Sequence, residues 1–195
     1  AAEEVATRGT AFVNLNTGAV VYLDEEPLSS ENIGINNLNA CGDTIYYCKK
    51  EGKKNVLYRY HLADGTVDTC ELSAGFNQKY AVLDEDTIVY MKSSGRAICV
   101  YRPSTGENTE HRLLKTEISY DEDGKEIEQS VEYEADGIKT DGTYLYVSQQ
   151  MATFREFGRD FHFIIHVFDR NLNEIAVVDM GPLLETFQTD TGEEV

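Results

Sequence analysis

Basic side chains are concentrated in three short segments of this acidic chain. Eight of the seventeen lysines and arginines lie there, namely Lys49, Lys50, Lys53 and Lys54, then Lys92 and Arg96, then Arg155 and Arg159. Because the formal net charge is −18, such a concentration indicates a site that attracts a carboxylate, a phosphate or an acidic glycan. The third segment also places Met151, Phe154 and Phe157 among its arginines, as a binding loop does. The residues predicted to bind a ligand are Phe154, Arg155, Phe157, Arg159, Lys53 and Lys54.

A structural role also explains these cations. Lysines at hairpin tips keep strand edges soluble and prevent them from pairing with other chains. This structural role is favoured for the two shorter segments. Both interpretations stay open for the third segment, residues 149–160, because it is long for a hairpin connection.

Carboxylates and histidines offer two further candidate sites, and both fail on spacing. Asp121 and Asp123 resemble the start of a calcium loop, but Gly124 comes two positions too early, so a solvated acidic hairpin is favoured. His162 and His166 are four residues apart on a predicted strand, which places them about 13 Å apart on one face, too far to share a metal ion. We therefore predict no metal site and no cofactor.

The sequence also lacks the common catalytic and nucleotide-binding motifs. No G-x-S-x-G, H-E-x-x-H, phosphate-binding loop or G-x-G-x-x-G pattern is present. The acidic composition argues against nucleic acid as a partner, and no apolar run is long enough for a transmembrane segment. Catalysis has no positive support, although a carboxylate pair somewhere in so acidic a chain stays open.

The elements that must position these residues follow from a motif that occurs four times. Its copies read AFVNLNTG, YRYHLADG, CVYRPSTG and HVFDRNLN, and they end at Gly18, Gly65, Gly106 and Asn173. A second motif precedes three of them, at residues 43–47, 86–90 and 141–146. Self-similarity at about 40–50 residues, with several short strands in each unit, is typical of a β-propeller.

Each repeat divides into four strands, A to D from the centre of the ring outward. The units span about residues 10–26, 33–72, 76–113 and 135–180 within a single domain, and the first unit holds only strands C and D. The predicted fold is therefore an all-β propeller of four-stranded antiparallel blades, with about three and a half blades in this chain. The chain is part of a larger ring completed by the same protein or another copy, or its two ends share a blade of a small ring; we favour the first.

Two insertions interrupt the fourth unit. Residues 114–134 precede its strand A and are predicted to form a hairpin, and residues 149–160 separate its strands B and C. Antiparallel order places the B–C and D–A connections at one end of every blade, so both insertions project from the same face. Cys48, Cys70 and Cys99 fall inside predicted strands, where cysteine acts as a small buried hydrophobe, and no disulfide framework is expected.

The residues Asp141 to Ser148, followed by Ile165 to Arg170, resemble the blade signature of YVTN-type and lactonase-like bacterial propellers. Residues 43–47 are similar to propeller blades of bacterial lipoproteins and of low-density-lipoprotein-receptor-like repeats. The resemblance covers roughly residues 10–180. It implies a bacterial protein in an extracytoplasmic or cell-surface location. It implies no catalytic residue, because no lactonase motif outside the blade signature is matched and the receptor-type Tyr-Trp-Thr-Asp motif is absent.

These features favour a non-catalytic recognition or scaffold domain. Its predicted partner is a protein, or an anionic small molecule or glycan, bound through the face that carries the B–C and D–A connections. One alternative is a lactonase-like or other hydrolase with its site in the propeller channel or on another part of the ring. Another is a propeller that gates a catalytic domain encoded elsewhere in the same gene.

Overall fold

The described part of the chain is built entirely from β-strands. The computed structural model describes residues 11–13, 15, 18–23, 36–155 and 158–183. The strands in these ranges form three four-stranded antiparallel sheets and two separate hairpins, and no helix occurs among the described residues. None of these residues therefore lies in a helix long and apolar enough to cross a membrane.

The strands follow one another along the chain and pair in sequence order. The first hairpin consists of β1 (Ala11–Val13) and β2 (Val20–Tyr22). The first sheet consists of β3 (Asn36–Cys41), β4 (Thr44–Glu51), β5 (Lys54–His61) and β6 (Val67–Cys70). The second sheet consists of β7 (Phe76–Asp84), β8 (Thr87–Lys92), β9 (Ala97–Arg102) and β10 (Glu107–Arg112).

The remaining strands form the inserted hairpin and the third sheet. The inserted hairpin consists of β11 (Leu114–Tyr120) and β12 (Glu126–Glu132). The third sheet consists of β13 (Gly137–Thr140), β14 (Leu145–Arg155), β15 (Gly158–Phe168) and β16 (Glu174–Leu183). Each four-stranded sheet is thus one continuous meander, and the four-strand division of the repeats is confirmed for all three complete units.

The insertion at residues 149–160 differs in form from a loop. Strands β14 and β15 continue in register through it, with Gln150 opposite Phe163, Met151 opposite His162 and Phe154 opposite Arg159. The insertion therefore lengthens a hairpin of the third sheet. Continued pairing satisfies the backbone groups that a twelve-residue loop would leave to solvent.

The second sheet lies between the other two and is buried on both faces. Successive side chains of a strand point to opposite faces. Along β8, Ile88 and Tyr90 therefore join the cluster shared with the first sheet, whereas Val89 and Met91 join the cluster shared with the third. All four are completely buried. Burial of each such apolar side chain stabilises the fold by roughly 1.5–3 kcal/mol.

Two hydrophobic clusters thus hold the three sheets together. The cluster between the first and second sheets includes Tyr46, Cys48, Leu57, Cys70, Tyr80 and Cys99. The cluster between the second and third sheets includes Ala81, Ile98, Leu113, Tyr133, Leu145, Val147 and Phe168. All four cysteines are free thiols, and the buried positions predicted for Cys48, Cys70 and Cys99 are confirmed.

The first strands of the three sheets lie side by side. Strand β7 contacts both β3 and β13. Asn37 Nδ2 donates a hydrogen bond of 2.7 Å to Gln78 O between β3 and β7, and Lys79 Nζ reaches Asp136 O just before β13. The strands predicted as strand A of the three complete units are therefore neighbours of one another.

The two ends of the sheets carry different connections. At one end the A–B and C–D turns meet, where Leu62 N donates to Asp43 O at 2.8 Å. At the other end the B–C turn of the second sheet meets the segment that enters β13, where Ala135 N donates to Gly95 O at 2.8 Å. The placement of both insertions at this second end follows from the observed order of the strands.

The aspartates that recur in the A–B turns serve the turns themselves. Asp141 Oδ1 accepts hydrogen bonds of 2.8 Å from the backbone amides of Thr143 and Tyr144. Asp86 Oδ1 accepts one of 2.8 Å from Ser104 N in the adjacent C–D turn. Short polar side chains that bond nearby amides are typical of such turns.

Candidate functional site

The predicted binding residues fall on the first and third sheets, with the second sheet between them. Lys53 and Lys54 are exposed at the turn between β4 and β5. Phe154 and Arg155 end β14, and Arg159 lies near the start of β15 opposite Phe154. Phe157 lies outside the described residues. The two groups share one end of the molecule but belong to separate sheets.

Some of the cations at that end have carboxylate partners. Lys92 Nζ forms a salt bridge with Glu110, and Arg96 Nη2 lies 2.6 Å from Glu134 Oε1. Both carboxylates lie on neighbouring strands or connections. The spacing of the cations in the sequence therefore does not show that they are paired. The positive charge available to a ligand there is thus lower than the count of basic residues indicates.

Lys53 and Lys54 border a groove of about 520 Å³ between the first and second sheets. Ser73 of its lining donates a backbone hydrogen bond of 2.9 Å to Tyr90 Oη, and Tyr90 Oη donates one of 2.8 Å to Asn108 Oδ1. The buried tyrosine hydroxyl behind the groove is therefore satisfied by the protein itself. The two lysines remain predicted ligand contacts on its rim.

A second concave region, here called the cleft, lies between the inserted hairpin and the outer strands of the third sheet. It has a volume of about 600 Å³. Its polar lining comes from the end of β10, the inserted hairpin and the third sheet, and comprises Arg112, Lys115, Thr116, Ser130, Gln149, His166 and Glu174. Its apolar lining comprises Leu113, Leu114, Ile164, Phe168, Leu172 and Val177. This mixture of apolar walls and a few converging polar groups is typical of small-ligand sites.

His166 is the most deeply buried polar side chain of the cleft. Only 3% of its surface is exposed. Its Nδ1 lies 3.0 Å from Glu174 Oε2, and its ring stacks on Tyr133 with the ring centroids 4.2 Å apart. Because a carboxylate can only accept a hydrogen bond, Nδ1 of His166 carries a proton and donates it to Glu174.

Gln149 stands beside His166 on the same face of the third sheet. It lies two residues beyond Val147, the residue that pairs with His166 across β14 and β15. Only 7% of Gln149 is exposed. Its side chain and that of His166 both line the cleft, so the ladder places a buried amide and a buried imidazole at one wall.

Three buried polar side-chain atoms lack a hydrogen-bond partner in the described part of the chain, and all three belong to this region. They are Tyr133 Oη, Gln149 Oε1 and His166 Nε2. Leaving a buried donor or acceptor unsatisfied destabilises a fold by about 1–3 kcal/mol. Two of the three atoms belong to residues that line the cleft, Gln149 and His166, and the third belongs to Tyr133, whose ring stacks on His166.

Burial fixes the role of the tyrosine. Loss of hydration raises the pKa of Tyr133, and the nearby Glu174 carboxylate adds to the effect. Tyr133 therefore keeps its proton at neutral pH and can donate a hydrogen bond.

In the sequence, His166 is noticeable only as a possible metal ligand together with His162, and their spacing argues against that role. The structure instead pairs each histidine with a carboxylate of β16, and His162 Nδ1 lies 3.5 Å from Asp179 Oδ1. Within the described ranges, no cluster of three or more His, Cys, Asp or Glu side chains could hold a metal ion. One feature of the sequence could have indicated that His166 has a carboxylate partner. Glu174 follows the C–D turn, so it comes close to His166 on the adjacent strand.

The inserted hairpin has the predicted form, and its acidic turn is stabilised locally. Asp121 Oδ1 accepts hydrogen bonds from Asp123 N at 3.0 Å and Lys125 N at 2.8 Å. This aspartate serves its own turn in the way that Asp141 does.

Comparison with known proteins gives one structural likeness. No protein-family model matches the sequence, and no curated protein matches it. The crystal structure of TolB from Acinetobacter baumannii is similar, with a TM-score of 0.40 and 19% sequence identity over 88% of this chain and 52% of that one. The chain thus spans about half the length of that structure. The function is accordingly inferred from the residues of the cleft and of the strands around it.

Proposed function

We propose that this chain is a non-catalytic recognition domain that binds its ligand in the cleft. The supporting observation is that Gln149 and His166, two buried side chains of its lining, each hold a polar atom that has no hydrogen-bond partner among the described residues. A single water molecule satisfies isolated groups of this kind in many proteins. A space of about 600 Å³ is far larger than one water molecule needs and falls within the range of ligand sites.

The position of the cleft is compatible with the binding face predicted from the sequence, which carries the B–C and D–A connections. The inserted hairpin belongs to a D–A connection, and Gln149 begins the part of β14 that leads toward the B–C turn. From Gln149 to Arg155 the strand extends about 20 Å. In this proposal Phe154, Arg155, Phe157 and Arg159 extend the binding surface beyond the cleft, and a larger partner contacts both.

We also propose that the three sheets are consecutive blades of a propeller ring, whose remainder belongs to the same protein or to another copy. The support is the side-by-side packing of β3, β7 and β13 together with the repeated meander. An extracytoplasmic location stays a prediction from the blade resemblance.

A thermal-shift screen against a library of metabolites and saccharides tests the binding function. The wild type is compared with Gln149→Leu and with Gln150→Leu, which makes the same change on the opposite, exposed side of β14. We expect that some compounds raise the melting temperature of the wild type and of Gln150→Leu. The same compounds should leave the melting temperature of Gln149→Leu unchanged. A library without such compounds, or equal shifts for all three proteins, would contradict the proposal.

A second candidate is a hydrolase, and the buried His166–Glu174 pair is the observation that favours it. A carboxylate that orients a histidine is a common arrangement for a general base. However, Nε2 has no hydrogen-bond partner among the described residues, so the nucleophile–base contact of such enzymes is not formed with Thr116 or Ser130. Hydrolysis of nitrophenyl esters or lactones that disappears in His166→Phe would favour the enzyme over the binding domain.

A further inference from the structure

We infer that the partner of the cleft is an extended protein segment in which basic residues alternate with apolar ones, and that this segment binds as an added strand along β16. This inference rests on the proposed binding function of the cleft and adds the chemistry of what it binds. It departs from the anionic ligand that the distribution of basic residues predicts.

The first step is the free edge of the third sheet. Among the described residues, β16 pairs only with β15. Its ten residues include four large apolar side chains that are each about half exposed, namely Ile175, Val177, Val178 and Met180. The corresponding strand β6 has only four residues, and β10 carries exposed Glu107, Glu110 and Arg112. Short strands and charged side chains protect free edges from pairing, so β16 is the edge that accepts a further strand most readily.

The second step is the position of that edge at the cleft. The ladder between β15 and β16 is regular from Ala176 to Asp179 and shifts in register on both sides, which limits an added strand to a short segment. Val177 lines the cleft, and Val178 points to the opposite side of the sheet. Alternate side chains of the added strand therefore face the cleft, and the others lie beside Val178 and Met180. Apolar residues suit the second set, because cross-strand neighbours on one face pack together.

The third step is the wall that faces β16 across the cleft. Thr116 and Ser130 of the inserted hairpin pair with each other and line the cleft. On the same side of the hairpin, Ile118 pairs with Glu128 and Tyr120 pairs with Glu126. An apolar row on β11 thus runs beside an acidic row on β12.

Lysine and arginine fit this wall. Their side chains carry an apolar stem and a charged end. A basic residue of the bound segment packs its stem against Ile118 and brings its charge to Glu128. The cleft-facing positions of the segment are therefore assigned to basic residues.

The fourth step is the charge balance of the cleft. Arg112 Nη1 lies 3.3 Å from Glu132 Oε1, and Lys115 Nζ lies 2.8 Å from Glu117 Oε1, so both cations of the rim have carboxylate partners. A further carboxylate, Glu174, belongs to the lining. The excess of carboxylates favours a basic partner. It disfavours a second copy of this chain, whose formal net charge is also −18.

Matched peptides provide the experiment. Fluorescence anisotropy measures the binding of labelled octapeptides in which lysine alternates with valine, glutamate with valine, or lysine with serine. Only the first combines the complementary charge with the apolar side. We expect it to bind the wild type at least about tenfold more tightly than either of the others.

Backbone methylation tests the mode of binding. Alternate residues of a strand direct their backbone groups to one neighbouring strand. Two versions of the lysine–valine peptide are N-methylated at every lysine or at every valine. One version should lose binding and the other should keep it. Equal affinities of the two versions would overturn strand addition.

Variants of the inserted hairpin test the location. Ile118→Ser and Glu128→Lys should each weaken binding of the lysine–valine peptide by about tenfold. Ile127→Ser is the matched control, because Ile127 is also exposed but pairs with Ser119 on the other side of the hairpin. Glu107→Lys makes the same change of charge at the far end of β10. Both controls should bind like the wild type, and all four variants should keep the circular dichroism spectrum of a β protein.

Each outcome decides between the two levels of the proposal. Tightest binding of the glutamate–valine peptide, or equal losses in the variants and their controls, would overturn the basic segment at this wall. So would an absence of peptide binding while the metabolite screen still yields Gln149-dependent compounds, and the binding function would then stand with another ligand class. Failure of both the peptides and the screen would remove the cleft as a binding site.

Discussion

At the scale of single residues, Gly95 lies where neighbouring backbone atoms leave little room for a side chain. Its φ is +67°, in the left-handed region that favours glycine. Its carbonyl oxygen accepts the hydrogen bond from Ala135 N that joins the second sheet to the segment entering the third. A Cβ at this position would lie 2.9 Å from Ala135 O, closer than side-chain carbons approach a carbonyl.

Gly95→Ala is therefore expected to destabilise the protein more than Gly106→Ala. Gly106 has a similar φ of +72°, but nothing lies within 4 Å of its Cβ position. The matched variant should lose only about 1–2 kcal/mol for the strained backbone. Gly95→Ala should lose roughly 1–3 kcal/mol more for the steric overlap. Urea unfolding of both variants measures the difference, and equal midpoints would show that the contact with Ala135 is not as close as the structure gives it.

At the scale of elements, the inserted hairpin is attached to the sheets without supporting them. Leu114 and Glu132 face each other at its base, and most of its side chains are exposed. The buried residues next to it, Leu113 and Tyr133, lie outside its strands and belong to the core. The hairpin therefore shapes the cleft and contributes little to the stability of the fold.

Removal of residues 115–131, with an Asn-Gly turn joining Leu114 to Glu132, should leave a folded protein with an open cleft. Thr116 and Ser130 would no longer line it, and compounds identified with the wild type should bind at least about tenfold more weakly. Circular dichroism and thermal-shift measurements check the two parts of this expectation. The matched control shortens the other insertion by joining Met151 to His162 with the same turn. Weaker binding in the control alone would locate the ligand at the tip predicted from the sequence.

Strand positions could be read from the sequence wherever turn residues and alternation agree. Thr87–Lys92 and Ala97–Arg102 form two of the four strands expected within residues 76–113, because compact turns of Asp, Gly and Ser bound runs with apolar residues on both faces. Residues 149–160 lack that alternation, and their strand pairing comes from the ladder that begins at Gln149 and Ile164. Local pattern carries no information about a pairing imposed by neighbouring residues.

The cleft could not be read from the sequence, for a related reason. Tyr133, Gln149, His166 and Glu174 come from separate parts of the chain and meet only after the third sheet has formed. The cations were visible in the sequence, whereas partners such as Glu134 were not, since they approach from other strands. The end of the molecule that carries the insertions was predictable from antiparallel order alone.

At the scale of the whole molecule, the excess of negative charge opposes folding. A formal net charge of −18 on 195 residues makes the charges of the compact state repel one another. Added salt shortens the distance over which this repulsion acts. The melting temperature should therefore rise as NaCl increases from about 10 to about 300 mM. Differential scanning calorimetry measures this, and KCl should act equally because the effect is one of screening. A falling melting temperature would mean that ion pairs such as Arg59 with Asp68 outweigh the general repulsion.

The order of the strands has a consequence for the newly made chain. Each sheet is one unbroken stretch of sequence, so it is complete as soon as its fourth strand leaves the ribosome. The apolar face of the first sheet is then covered once the second sheet, which begins at Phe76, has been made. Translation proceeds from the amino terminus and domains fold as they emerge. The direction of synthesis therefore coincides with the order of stacking, and each of the three described four-stranded sheets is made from consecutive strands.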